Sequence, residues 1–345
     1  MHEAHLSAWA GMLGGAAGGE MAAAWASRLA DLLTPAMAEH LLAGCRLPDG
    51  RPAVPAAVAR QSRLFNRLCR LSGLAWARRA AAAGIEVVCL KGLGAAYTLY
   101  DEPDLRGMAD CDLLVRRADR DRLLALFRAG GLEFVAPHAR SRWGFIHDSS
   151  YLPLSSADGL ANVDLHVEAD AWPVHRALAA ERVFAGAETL ATPEGEIRVP
   201  APTHALLLCA THAARDLFGP GAVTKLIDAS RLLARRGGEI DAAGLRALAS
   251  AGGVGPPVGV FFALLADLGL PAAMLPAGVA RQGLGGWRGA EYRRALAQLA
   301  ALYPWPLSAL ARARREALLA AEPATLAEHY LRRLAGLVRP QSGRP

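Results

Sequence analysis

The residues with the clearest chemical potential are Asp110-Cys111-Asp112, which lead into the apolar run Leu113-Leu114-Val115. In a strand, alternate side chains face the same way, so Asp110 and Asp112 point together while Cys111 and Leu113 turn to the other face. Their Cα atoms then stand about 6.6–7 Å apart, close enough for both carboxylates to converge on divalent cations. Two acids at the head of an apolar strand repel each other unless positive charge sits between them. A lone Asp-x-Asp is also common at a solvated strand end, so its neighbours decide its meaning.

Upstream, the apolar and β-branched run Ile85–Leu90 reads as a strand. It is followed by Lys91-Gly92-Leu93-Gly94 and a short helical stretch to Tyr100. Backbone amides at a glycine turn entering a helix receive phosphate oxygens, and Lys91 adds a charge there. Two familiar phosphate motifs fail. The P-loop pattern is absent because Lys91 precedes its glycine, and the dinucleotide pattern GxGxxG has Tyr97 where its third glycine belongs; Asp110 and Asp112, 18 and 20 residues beyond Gly92, keep a dinucleotide reading open, weakened because a ribose-binding acid closes a strand and this pair begins one.

Downstream, Val163-Asp164-Leu165-His166-Val167-Glu168 alternates. Asp164, His166 and Glu168 share one face, with an apolar back, so Asp164 is positioned to deliver a third carboxylate. His166 would orient that acid or contact substrate, although a structural histidine bonded to a neighbouring loop is the favoured reading. Glu168 reads as a solvated strand end. A strand, a glycine turn with its helix, an Asp-x-Asp strand and a later strand with one more Asp together follow the logic of two-metal phosphoryl chemistry. Two cations roughly 3.5–4 Å apart would bind a triphosphate and stabilise both the attacking and the leaving oxygens. Positioning and charge neutralisation then supply most of the acceleration.

The lysines sharpen this picture. Lys91 and Lys225 are the only two in the chain, so 36 of its 38 basic residues are arginine. An ammonium is a compact point charge and a guanidinium a planar fork. The two lysines are therefore worth locating, with chance survival as the plain alternative.

These groups must be positioned by an alternating core between helical flanks. From about Glu20 to Gly84 the sequence reads as helices, and in Val54–Ala83 the residues Val58, Leu64, Leu68, Leu71, Leu74 and Ala75 mark an apolar face. Strands are predicted at Ile85–Leu90, Cys111–Val115, Leu132–Ala136, Ser150–Leu154, Ala161–Val167 and Glu196–Val199, with a helix from about Ala118 to Ala129. From Pro202 the chain returns to helix, with Thr203 as N-cap, a further helix at Lys225–Arg235 and breaks at Pro256-Pro257, Pro271, Pro276 and Pro304-Trp305-Pro306. Residues 339–345 read as a frayed tail.

Composition agrees with this organisation. The chain's 345 residues allow about two compact units. With 53% hydrophobic and 20% charged residues, disorder along the whole chain is excluded. The net charge of +6 is spread along the sequence, so it does not mark a nucleic-acid surface. Five cysteines, Cys45, Cys69, Cys89, Cys111 and Cys209, form no close pair, which argues against a disulfide framework or a zinc ribbon. No basic start precedes a clean apolar stretch, and no uncharged run reaches the roughly 18–20 residues of a membrane span. A cytoplasmic protein is expected.

The segment LKGLGAAYTLYDEPDLRGMADCDLLV, from Leu90 to Val115, together with VDLH at Val163–His166, resembles the uncharacterised nucleotidyltransferase family of the polymerase-β-type superfamily. It is also similar to related toxin nucleotidyltransferases that carry Lys-Gly, then Arg, then Asp-x-Asp. The resemblance extends to His204-Ala-Leu and to Lys225-Leu-Ile-Asp228 and spans roughly residues 85–235. It implies an α+β fold in which a polymerase-β-like core with a mixed sheet is flanked by N- and C-terminal helical regions. The expected division is an N-terminal helical region at 1–84, a core at 85–200, a helical domain at 201–338 and a tail at 339–345.

Carried over to this sequence, the resemblance implies that Gly92 lies at the nucleotide-phosphate turn with Lys91 beside it, and that Arg106 approaches from the loop before the strand. It implies that Asp110 and Asp112 hold Mg²⁺, two ions in all, with Asp164 as third carboxylate helping to deprotonate the acceptor. Lys225 would reach the triphosphate from the helical domain. Many enzymes of the superfamily have Gly-Ser after the first strand, whereas this chain has Gly92-Leu93, so Lys91, backbone amides or Arg106 must replace the serine hydroxyl.

The expected activity is Mg²⁺-dependent transfer of an NMP from an NTP to an acceptor hydroxyl, with pyrophosphate release. The alternatives are a catalytically weak nucleotide-binding or scaffold protein of the same fold and, further off, a glycosyltransferase using Asp-x-Asp for a sugar diphosphate. The acceptor, whether a small molecule, peptide, protein or tRNA, is not written in the sequence, nor is the choice of base. Nucleic acid is not favoured, since no RGG tract, aromatic platform or concentrated basic stripe is present. No role is assigned to His204 or His212.

Overall fold

The structure is a computed structural model. It describes residues 2–13, 23–43, 46–47, 49–135, 151–170, 173–281, 284–302, 307–318 and 322–338. Cys45, residues 136 and 150 of the predicted strands, the Pro304-Trp305-Pro306 break and the predicted tail lie outside the described residues.

In chain order the elements begin with helices α1 (His2–Leu13), α2 (Ala23–Leu32), α3 (Pro35–Leu41) and the 27-residue α4 (Ala56–Ala82). Strand β1 (Val87–Cys89) leads into α5 (Lys91–Leu99), then β2 (Cys111–Val115), α6 (Arg120–Ala129), β3 (Leu132–Phe134), β4 (Tyr151–Ser156) and β5 (Asn162–His166). Helix α7 (Ala180–Gly186) and the hairpin β6 (Glu188–Thr192) and β7 (Gly195–Val199) follow. The rest is helical, with α8 (Pro202–Arg215), α9 (Ala222–Arg236), α10 (Ala242–Ala251), α11 (Gly255–Asp267), α12 (Gly286–Ala300), α13 (Ala309–Ala317) and α14 (Pro323–Val338).

The fold is α+β with a mixed five-stranded sheet in the order β1-β2-β5-β4-β3. β1 runs antiparallel to β2, β2 parallel to β5, and β4 antiparallel to both β5 and β3. The parallel pair sits in the middle, where β2 and β5 are nearly buried throughout. That is where a parallel pairing is expected.

Alternation along the strands feeds two cores. Val87, Cys89, Cys111, Leu113, Val115, Val163 and Leu165 pack with Trp76, Leu123 and Phe127 of α4 and α6. Val88, Leu90 and Leu114 turn the other way and join the helical core of α8, α9 and α11. Helices from both ends of the chain share this second core. The Trp9 indole donates to Leu299 O at 3.1 Å, and the Trp25 indole donates to Ala300 O at 2.9 Å, fastening α1 and α2 to α12.

Three local readings are corrected. The predicted apolar face of α4 leaves Val58, Leu64 and Leu68 exposed. Leu74 of that face is buried as expected, but beside it the buried face carries Asn66, Cys69, Arg70, Gly73, Trp76 and Ala77, because charge and close packing draw it in. Arg70 Nε donates to Asp104 at 2.9 Å and its Nη1 to Glu194 at 3.0 Å. A Cβ on Gly73 would lie 2.8 Å from Cys111 Sγ, so only glycine permits this approach of α4 to β2. Second, Thr203 is not an N-cap: Ala201 takes that position, Pro202 opens α8, and the Thr203 hydroxyl accepts from Asp241 N at 2.9 Å. Third, strand β6 precedes the predicted Glu196–Val199 strand and pairs with it from Glu188↔Val199 to Thr192↔Gly195.

Candidate functional site

Pairing register creates the site. Asp112 and Asp164 are direct partners across the parallel β2 and β5. Neighbouring strands lie about 4.8 Å apart, and side chains at paired positions leave the sheet on the same face. His166 lies two residues beyond Asp164 and therefore shares that face. All three residues are buried. One ligating atom from each of Asp112, Asp164 and His166 lies within 4.8 Å of the others.

The positive charge in this cluster comes from Lys91. Its Nζ stands 2.5 Å from Asp112 Oδ1, the same oxygen that lies 2.9 Å from His166 Nε2. Burial opposes ionisation of Asp112, but the Lys91 ammonium and the His166 hydrogen bond outweigh it and hold the carboxyl well below the usual carboxylate range. Asp110 moves the opposite way. Burial and then the Asp112 charge push its pKa up, against the pull of Lys91, a hydrogen bond with Asp164 and the pull of His166. Three carboxyls thus meet at one place, with one firmly ionised and one held toward its protonated form.

Lys91 is aimed by an unusual backbone. It is the first residue of α5, yet its φ is +47°, a left-handed conformation that costs a non-glycine residue roughly 1–2 kcal/mol. The glycines after it serve packing. A Cβ on Gly94 would meet Cys89 O at 2.7 Å, and one on Gly92 would meet Met108 Cβ at 3.2 Å. Leu93 is fully buried in the sheet core and brings no hydroxyl to the turn.

The cluster opens into a cleft of about 390 Å³ between the sheet, α5, α8 and α9. Lys91, Gly92, Arg106, Asp110, Asp112, Asp164 and Lys225, all singled out in the sequence, line it. Arg106 is engaged with Asp228: its Nη2 stands 2.8 Å from Oδ2 and its Nε 3.0 Å from both carboxylate oxygens. The Tyr100 hydroxyl donates to the same carboxylate at 2.7 Å. This buried knot ties the loop before β2 to α9 and so fixes how the chain approaches Asp110. Lys225 donates to Gly221 O at 2.8 Å and pairs with Asp216 at 2.9 Å. Glu168 is absent from the lining and pairs with Arg117 at 3.0 Å.

Sequence reasoning assigned no role to the polar end of α8. His212 and Arg215 line the cleft, while Asp170, almost wholly buried, accepts from Arg215 Nη1 at 2.9 Å and from the Thr211 hydroxyl at 2.5 Å. The available signal was Thr211, His212 and Arg215 ending a helix otherwise rich in Leu and Ala. His204, on the same helix, does not line the cleft.

Hard oxygen donors with one imidazole suit Mg²⁺ or Mn²⁺. The short mutual distances in Asp112, Asp164 and His166 fit such an ion. No helix among the described residues is long and apolar enough to cross a membrane. A family model described as an uncharacterised nucleotidyltransferase matches residues 51–269, more than half of the chain. No curated protein matches it.

Proposed function

The chain belongs to this uncharacterised nucleotidyltransferase family, and from that premise we propose that it transfers a nucleoside monophosphate from an NTP to an acceptor hydroxyl. The observation that carries the reading is the register pairing of Asp112 with Asp164 at the wall of a cleft that also holds Asp110 and both lysines of the chain. In this reading residues 85–200 are a polymerase-β-like core and residues 201–338 a helical domain. The mixed sheet supports that comparison.

Asp112 and Asp164, with His166 or Asp110 beside them, would hold Mg²⁺, two ions when the substrate is bound. Mg²⁺ held by these residues would supply neutralisation of phosphate charge for in-line displacement at the α-phosphorus. Lys91, paired with Asp112, stands where its ammonium would reach phosphate oxygens of the nucleotide, and the amides at Gly92 would receive phosphate at the start of α5. Asp164 accepts the acceptor hydroxyl proton. The new O–Pα bond forms as the bond from Pα to the bridging oxygen breaks, and pyrophosphate leaves with that bonding pair. Burial of Asp112, Asp164 and His166 strengthens each charge interaction relative to water.

The test is incubation of the full-length protein with Mg²⁺, α-phosphorus-labelled NTPs and a cell extract, following pyrophosphate release and label transfer. Asp112→Asn and Asp164→Asn should each abolish both while leaving the fold intact. Undiminished transfer in either variant rejects the mechanism.

The buried Leu93, in place of a hydroxyl at the turn, favours a second reading as a nucleotide-binding protein without turnover. Mg²⁺-dependent NTP binding with no pyrophosphate release from any extract would select it.

A further inference from the structure

The cleft carboxylates Asp110, Asp112 and Asp164 come from the sheet side, where Lys91 pairs with Asp112, and Asp228 of α9 is taken up by Arg106, while His212, Arg215 and Lys225 line the cleft from α8 and α9. Arg215 is held from behind. Asp170 is 2% exposed and outside the lining, and it accepts from Arg215 Nη1 with one oxygen and from Thr211 Oγ1 with the other.

His212 is placed by the same cluster. Its Nε2 lies 3.0 Å from Arg215 Nη1. A guanidinium only donates, so Nε2 accepts and the neutral ring carries its proton on Nδ1. Burial holds the His212 pKa well below its ordinary value, and Lys91, Arg215, Lys225 and His166 push it further down. These groups come from α5, α8, α9 and β5. The nearby carboxylate, Asp170, is 3.5 Å from Nε2 and already engaged with Arg215 and Thr211. A buried imidazole surrounded by cations marks a place where a multiply charged anion relieves repulsion.

We propose that Arg215 and His212 grip the terminal phosphates of the nucleotide and the departing pyrophosphate, with Asp170 as the buried positioning residue that aims Arg215. The inference rests on the transferase reading and names the subsite of its leaving group. The sheet carboxylates face the reacting α-phosphorus, and the helical cations across the cleft receive what leaves. An arriving polyphosphate compensates the cations around His212 and draws the Arg215 N–H from Nε2 onto phosphate oxygen, so that nitrogen is freed to take up a proton.

The experiment is calorimetric titration of the full-length protein with inorganic pyrophosphate and Mg²⁺ in two buffers of different ionisation enthalpy. Wild-type protein binds with net proton uptake. Arg215→Met weakens binding about tenfold or more, the scale of one lost charge-assisted contact. Because that change leaves the buried Asp170 charge poorly compensated, His212→Gln serves as the second variant. It creates no unpaired charge, weakens binding several-fold and removes the proton uptake. Asp170→Asn weakens pyrophosphate binding without changing Mn²⁺ binding measured in the absence of phosphate. Wild-type affinity and proton uptake in His212→Gln, or wild-type affinity in Arg215→Met, overturn the proposal. NMP transfer by a protein that binds no pyrophosphate would sink this subsite and leave the transferase reading standing. Pyrophosphate binding with the expected variant effects but no NMP transfer would do the reverse.

Discussion

Lys91 and Asp112 form a 2.5 Å ion pair at the head of α5, made by a lysine whose backbone is left-handed and by a carboxylate that is 7% exposed. The sheet brings Asp164 and Asp110 to the same spot, so this ammonium is the compact positive charge that lets three acids sit together without a metal.

Lys91→Met should therefore cost roughly 3 kcal/mol of stability in metal-free protein, because one partner of a buried pair is left behind. Saturating Mg²⁺ should recover much of that loss. Urea denaturation with EDTA and with Mg²⁺ checks both, and an equal loss in the two conditions would contradict the role given to Lys91.

Asp110 gives a pH-dependent outcome of defined sign. Its pKa is raised in the folded protein, by burial and then by Asp112. Its contribution is thus fully present below the unfolded value of about 3.9 and is lost as pH rises through the folded value. Asp110→Asn should stabilise the metal-free protein at pH 7, with the gain vanishing near pH 4. Asp112 behaves oppositely: its contribution is present above about pH 4 and is lost as pH falls toward its depressed folded value. Thermal denaturation of wild type, Asp110→Asn and Asp112→Asn across this range separates the two.

Arg106 and Asp228 hold the loop before β2 against α9. A double-mutant cycle with Arg106→Met and Asp228→Asn should give a coupling energy of about 1–3 kcal/mol. Arg106→Lys should recover little of it, since an ammonium cannot reproduce the forked contact. Additive losses would mean that the two side chains act independently.

Gly94 and Gly237 offer a matched pair. Alanine at Gly94 would press on Cys89 O at 2.7 Å and should cost about 1–3 kcal/mol, since a crowded site must shift. Alanine at Gly237, where nothing lies within 4 Å and φ is −57°, should be neutral or stabilise by about 0.4–1 kcal/mol through the unfolded chain. Only the first should also lower nucleotide binding, because α5 carries Lys91.

Much of the site was legible because it depends on period-two alternation. The strand Cys111–Val115 was read at its full extent, and Asp164 was expected on the face it occupies. Pairing between β2 and β5 is non-local, however, so the sequence could suggest three acids but not their register. The same limit hid Asp170, whose partners Thr211 and Arg215 lie more than 40 positions away. It also hid the buried face of α4, where an arginine is drawn inward by Asp104 and Glu194 from other parts of the chain. The sequence favours a structural role for His166 against a neighbouring loop, whereas its ring meets the carboxylate cluster directly.

The alternation of β2 between two cores ties chemistry to foldability. A slip of one position would send Asp112 into the apolar layer beside Phe127 and swing Leu113 toward the cleft. Single replacements at the acids can silence such a centre and leave a sound protein, but inserting or deleting one residue within this strand should destroy both. Reactivity here is written in the same frame as the folding instructions.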